Sequence, residues 1–225
     1  MAEPAGHRRE LAAVVRLMVH DVLDDDPQRG RLRFALEVLP FEVFREALGR
    51  EGAKLNDIAV LVRASAPSPG VTICGWGSSN DANHMTGPSR DGAGLAQAIR
   101  SALSSAQLQP DAIDYVNAHG TGTPYNDSME SAALRGVFGE RTPPFSGSKG
   151  MLGHTLGAAG VVETVICVLA IKARILPGTP RLGAPADDMP ASLVRDPRPV
   201  PRLHHVLKLN TGFGGVNGAL ILRHD

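Results

Sequence analysis

Two histidines set in glycine-rich sequence are the residues of this chain best suited to do chemistry. His119 lies in Val-Asn-Ala-His-Gly-Thr-Gly-Thr (116 to 123) and His154 in Ser-Lys-Gly-Met-Leu-Gly-His (148 to 154). Imidazole has an ordinary pKa near 6.5, so modest changes of environment select its charge, and the neutral ring can donate one hydrogen bond to a developing oxyanion. The short apolar run from Ile113 to Val116 predicts a strand that delivers His119 to a turn, which Gly120 and Gly122 make tight. His154 is expected at the start of a helix, where the positive end of the dipole favours the neutral ring. Two such rings converging on one thioester carbonyl would stabilise an enolate without becoming imidazolium themselves. Either histidine alone has an ordinary structural explanation; both together, with their flanking motifs intact, favour a site.

The cysteines do not join them. Cys74 sits in Val-Thr-Ile-Cys-Gly-Trp and Cys167 in Thr-Val-Ile-Cys-Val-Leu, apolar surroundings that predict inert core thiols rather than nucleophiles. Two cysteines in such runs suggest neither a disulfide framework nor a metal site, and no metal is expected.

The elements that must position the histidines alternate from residue 58 onward. Ile58 to Val62 and Val71 to Trp76 read as strands, Ala93 to Leu108 as a helix, and Ile113 to Val116 as a strand. Asn126 or Asp127 is placed to cap a helix running to about Phe138. Asp127 and Glu130 are expected to cap and solvate that helix. Thr155 to Ala173 reads as a long helix with apolar residues all round, which predicts burial on nearly every side. The proline-rich stretch from Pro177 to Pro201 is expected as an ordered surface loop, and Val206 to Leu209 and Ala219 to Leu222 as strands. The fold class is α/β.

Before residue 57 the pattern differs. Leu11, Val14, Val15, Met18, Val19 and Val22 follow one helical face, and a strand or turn followed by a helix from about Phe41 to Leu48 comes next. The expected division is therefore a helical segment over 1–57 and an α/β domain over 58–225. With 225 residues, 20% of them charged, and no formal net charge at pH 7, no footprint for nucleic acid or an anionic membrane is visible. No stretch reads as a membrane span or a signal peptide, and a cytoplasmic location is expected. Gly-Phe-Gly-Gly-Val-Asn-Gly (212 to 218) mimics a dinucleotide fingerprint but precedes a strand, so a nucleotide site is not expected.

Several spaced motifs occur in an order that resembles the C-terminal half of the β-ketoacyl-acyl-carrier-protein synthases. They are Gly-Trp-Gly-Ser-Ser-Asn-Asp-Ala-Asn-His-Met-Thr (75 to 86), the two histidine motifs, Gly-Ala-Ala-Gly-Val-Val-Glu (157 to 163) and Asn-Thr-Gly-Phe-Gly-Gly-Val-Asn-Gly-Ala (210 to 219). The resemblance implies half of a thiolase-like fold, a mixed sheet with packed helices, and decarboxylative condensation of malonyl carrier protein with an acyl chain in fatty-acid, polyketide or polyene synthesis. It implies that His119 and His154 bind the malonyl thioester carbonyl, that Lys149 pairs with Glu163 beside them, and that Phe213 gates the acyl pocket and lends its backbone amide to an oxyanion hole. Thr121, Thr123 and Gly214 fall at substrate-binding positions, the threonines ordering the turn rather than reacting. No resident cofactor is implied, since phosphopantetheine arrives on the acyl carrier protein. A homodimer or a heterodimer with a ketosynthase chain is implied, and a ketosynthase partner or an undivided version of the protein would supply the family's nucleophilic cysteine. The alternatives are a non-catalytic subunit like a chain-length factor, or an inactive remnant.

Overall fold

The computed structural model describes residues 70–224, together with the backbone of three strands nearer the N-terminus, β1 (Leu17–Met18), β2 (Phe34–Val38) and β3 (Val60–Arg63). The remaining elements are β4 (Val71–Asn80), α1 (Ala93–Ala106), β5 (Tyr115–Asn117), α2 (Pro124–Phe138), β6 (Phe145–Ser146), the single turn α3 (Lys149–Leu152), α4 (Ala159–Ala173), β7 (Ile175–Leu176), β8 (Arg198–Pro199), β9 (His205–Gly212) and β10 (Val216–His224). Strand and helix alternate as the apolar periods predict. The sheet is mixed, and its order is β1-β3-β2-β4-β10-β9-β5-β6. β10 runs antiparallel to both β4 and β9, whereas β5 lies parallel to both β9 and β6.

The N-terminal strands change one expectation. Leu17–Met18, read from its spacing as helix, is strand, paired in parallel with Val60–Leu61. Pairing with a sheet edge has overridden a helical period there, as tertiary context can. β2 pairs with β4 through Phe34–Ile73, so it extends the same sheet. The helix expected over 41–48 lies outside the described residues.

Side-chain alternation along the central strands sends residues to two faces. On one, Leu207, Leu209, Ala219, Ile221 and Val116 meet α1 and α2. α1 buries the stripe Leu95, Ala98, Ile99, Ala102 and Leu103, with the i, i+3, i+4 spacing of one helical face. It lies close to β4 because Gly77 has no side chain: a Cβ there would stand 2.2 Å from the Ala98 carbonyl. The opposite face, with Tyr115, Val206, Leu222 and Val71, packs against Val165, Cys167, Val168 and Ile171 of α4.

The long apolar segment is less enclosed than its composition predicts. A 3₁₀ turn at Leu156–Ala158 precedes α4, and the stripe Val162, Ile166 and Leu169 is only partly covered, Leu169 being 50% exposed. Leu156–Ala173 is also long and apolar enough to cross a membrane by length and composition, contrary to the sequence expectation. In the fold it packs on β9 and carries Glu163 into a buried ion-pair network, which marks it as a core helix. The proline-rich segment is tied down at both ends, by β7 pairing with β8 and by a bridge from Leu193 to Phe145.

Candidate active site

β5 ends at Asn117 and the chain turns at His119, with Gly120 and Gly122 at φ of 56° and 71°, the left-handed region that favours glycine. The turn is clamped from below. Both carboxylate oxygens of Glu130, on α2, accept backbone N–H bonds at 2.7 Å, one from His119 and one from Gly120, and Asn126 Nδ2 donates to Oε2 at 3.0 Å. Glu130 is buried, and burial raises its pKa despite those amides. Its expected role as a solvated helix residue is thus corrected: it is the anchor of the His119 turn. The helix also starts earlier than predicted. Thr123 stands at the N-cap without a side-chain cap bond, Pro124 occupies the first turn, and Asp127 Oδ1 instead accepts from the Gly122 amide at 3.2 Å.

The four central residues of the expected site come together. The His119 and His154 rings lie 5.3 Å apart, edge to face at 79°. Lys149 Nζ is 2.6 Å from Glu163 Oε1 and 3.3 Å from His119 Nδ1, and it also donates to the His119 carbonyl. Lys149 and Glu163 are buried. Thr121 and Thr123 hydroxyls hydrogen-bond each other at 2.9 Å on the turn beyond His119, as residues that order it. Phe213 and Gly214 stand outside this network, in the tight β9–β10 turn. There Phe213 is 75% exposed, and the Gly214 amide donates to Met85 O at 2.8 Å.

Three participants were not anticipated from sequence. Lys208 Nζ lies 2.9 Å from Glu163 Oε2, so two ammoniums share one buried carboxylate. Asn210 Nδ2 reaches both His119 Nδ1 at 3.4 Å and Glu163 Oε2 at 3.5 Å. Glu130 is the third. The available signal was a lysine in the apolar strand Val206-Leu207-Lys208-Leu209, a charge in a core position that requires a counter-charge.

The electrostatics set the state of the His119 ring. Burial pushes the His119 pKa down to about 3, and the charges of Lys149 and Lys208 and the His154 ring add to the effect. The ring is therefore neutral across physiological pH. Its Nδ1 faces the donors of Lys149 and Asn210, so Nδ1 is the acceptor and Nε2 carries the proton. His154 is exposed and its Nδ1 accepts the Leu156 amide at 3.1 Å, which again leaves the proton of the neutral ring on Nε2. That local bond, rather than a helix end, sets its tautomer, because α4 begins only at Ala159.

Two clefts adjoin the network. One, of about 430 Å³, includes His154, Lys149, Gly120 and Thr121 in its wall and runs under Thr179–Ala186. The other, of about 360 Å³, lies between α4 and the sheet and is lined mainly by apolar residues such as Ile73, Val161 and Leu220, with Asn210 and Lys208 at one side. The cysteines are elsewhere in role. Cys167 is fully buried with its thiol pushed up to about 12 by burial, and Cys74 Sγ lies 3.6 Å from the Ile221 carbonyl within the sheet. A nucleophile needs an accessible thiolate, and Cys167 opposes both conditions.

Residues 71–182 match the family described as beta-ketoacyl synthase, C-terminal domain. The 3-oxoacyl-[acyl-carrier-protein] synthase 2 of Coxiella burnetii is 40% identical over 152 residues, 67% of this chain and 37% of that protein. The synthase of the same name from Vibrio harveyi is 37% identical over 186 residues, 78% of this chain and 45% of its own. Among solved structures, a ketosynthase in complex with its chain length factor from Xenorhabdus doucetiae superposes with a TM-score of 0.68 at 38% identity, over 74% of this chain and 42% of that one. A beta-ketoacyl synthase from Burkholderia phymatum gives 0.67 at 28% identity over 85% and 54%. The chain belongs to the β-ketoacyl synthase family, and what it carries is the C-terminal half of that thiolase-like fold. It spans less than half the length of these curated relatives.

Proposed function

We propose that this chain contributes the decarboxylation site of a β-ketoacyl-acyl-carrier-protein synthase, an acyltransferase acting in the cytoplasm on malonyl groups carried by phosphopantetheine of an acyl carrier protein. The observation that carries the reading is the pair of imidazoles 5.3 Å apart, each with Nδ1 engaged by a neighbouring donor and Nε2 left to face a ligand. Two Nε2–H donors on one thioester oxygen stabilise the enolate that forms when the carboxylate C–C bond breaks and carbon dioxide leaves. The enolate carbon then attacks the carbonyl of an acyl thioester, and that thiolate departs as the new C–C bond closes. Lys149 and Glu163 hold His119 in place; Thr121, Thr123, Phe213 and Gly214 line the approach of substrate. The acylated cysteine belongs to a second ketosynthase chain or to a longer form of this one, since Cys74 and Cys167 are not placed to serve.

The test is carbon dioxide release from malonyl carrier protein, measured with the purified chain alone and with a co-expressed ketosynthase partner. Decarboxylation is expected, and His119→Ala and His154→Ala each lower it on the order of a hundredfold, the usual loss for one oxyanion donor. Mass spectrometry after incubation with acyl thioester is expected to show neither cysteine acylated. Absence of release in both settings would favour a pocket-shaping subunit like a chain-length factor, or an inactive remnant.

A further inference from the structure

Lys208 lies outside both histidine motifs, on a strand where its neighbours Val206, Leu207 and Leu209 build the core. Its side chain is 2% exposed, so its amine is largely withdrawn from bulk solvent and needs protein partners. Burial lowers its pKa, while the Glu163 carboxylate works to keep it charged. Each Glu163 oxygen is committed to one lysine: Oε1 to Lys149 at 2.6 Å and Oε2 to Lys208 at 2.9 Å. Lys208 also donates to the carbonyl of Leu209.

We infer that Lys208 is a positioning residue for His119: by holding Glu163 Oε2 it leaves Oε1 to Lys149, which keeps His119 Nδ1 an acceptor and its Nε2–H free. The alternative partners show why. Without Lys208, the remaining donor to Oε2 is Asn210, now 3.5 Å away and shared with His119 Nδ1 at 3.4 Å. Asn210 turning to the carboxylate would take one donor from the ring, and Glu163 rotating toward the vacated space would take Lys149 with it. The groups facing His119 are then Lys149 from α3, Glu163 from α4, Lys208 and Asn210 from β9, and the His154 ring, with Glu130 binding its backbone. Lys149 and Lys208 both disfavour the imidazolium form of His119.

This inference rests on the proposed role of His119, and its test has a readout that does not depend on activity. In the full chain labelled with ¹⁵N at histidine, the nitrogen shifts of His119 at pH 7, assigned with His119→Asn, report which ring nitrogen bears the proton. The wild type is expected to show the Nε2–H tautomer. Lys208→Met and Lys208→Gln are expected to populate the Nδ1–H form, while Lys208→Arg keeps the wild-type pattern. Lys208→Gln retains a donor for the Leu209 carbonyl and guards against loss of fold in Lys208→Met. In the decarboxylation assay the neutral variants are expected to lose on the order of tenfold in kcat with KM little changed, as for a catalytic group displaced rather than deleted. A folded Lys208→Met or Lys208→Gln chain with the wild-type His119 nitrogen pattern overturns the inference. A wild-type chain that shows the Nε2–H tautomer yet releases no carbon dioxide refutes the functional reading instead.

Discussion

The two faces of the central sheet are built on different terms. On the α1–α2 face, Ile99, Ala102, Leu207, Leu209 and Ile221 are fully buried and apolar, so the contacts between these helices and the sheet are mainly hydrophobic. On the α4 face, Val168 and Ile171 pack as tightly, but the same helix buries Glu163 between two lysines and leaves Leu169 half exposed. Desolvating three charges costs more than packing apolar residues of the same volume. The proposed site therefore sits on the face that is less economical to build. His119 belongs to both: its turn is anchored by Glu130 from α2 and its ring by Lys149 and Asn210.

The sharpest way to break this contrast is to remove the shared carboxylate. Glu163→Leu leaves two buried ammoniums unpaired and is expected to destabilise the fold by about 3–5 kcal/mol, measured by urea denaturation. A loss below 1 kcal/mol would mean that the α4 face is wetter than the geometry shows. Packing tests the other side. Ile99→Ala is expected to cost about 2–5 kcal/mol through lost burial and the cavity left behind. Leu169→Ala, on the open stripe of α4, is expected to stay within about 0.5 kcal/mol. Equal losses at the two positions would show that something covers α4 in solution.

The smallest effect is a pH dependence. The folded His119 pKa, about 3, lies below the unfolded value near 6.5, so the unfolded chain binds the proton first as the pH falls. Its contribution to stability is complete above the unfolded value and is lost progressively toward the folded one. Wild type minus His119→Asn in unfolding free energy should therefore shrink from pH 7 to pH 4, at a slope of at most about 1.4 kcal/mol per pH unit. Taking the difference cancels the opposite trend of Glu130, whose raised pKa adds stability as it protonates. A flat difference would show that His119 is solvated and that the site is open to water.

Much of the architecture was legible because it is local. The stripe of α1 at Leu95, Ile99 and Ala102, the strand before His119 and the turn glycines at positions 120 and 122 follow from period and backbone freedom within a few residues. The errors were local signals overruled from a distance. Leu17–Met18 pairs with Val60–Leu61, the helix after the first histidine motif starts at Pro124 without a side-chain cap, and Glu130 turns inward to bind two amides.

By itself, the sequence determined the alternation of strand and helix, the two histidine motifs and the apolar settings of Cys74 and Cys167. Only the tertiary structure decided the charge state of His119, the tautomers of both rings and the sharing of Glu163 by Lys149 and Lys208. The reason is range. A hydrophobic period is written over neighbouring residues, whereas the His119 environment is assembled from Glu130, Lys149, Glu163 and Asn210, the last of them 91 residues away. Burial sets whether such charges repel, pair or force a neighbour to stay neutral, and burial is a property of the packed chain.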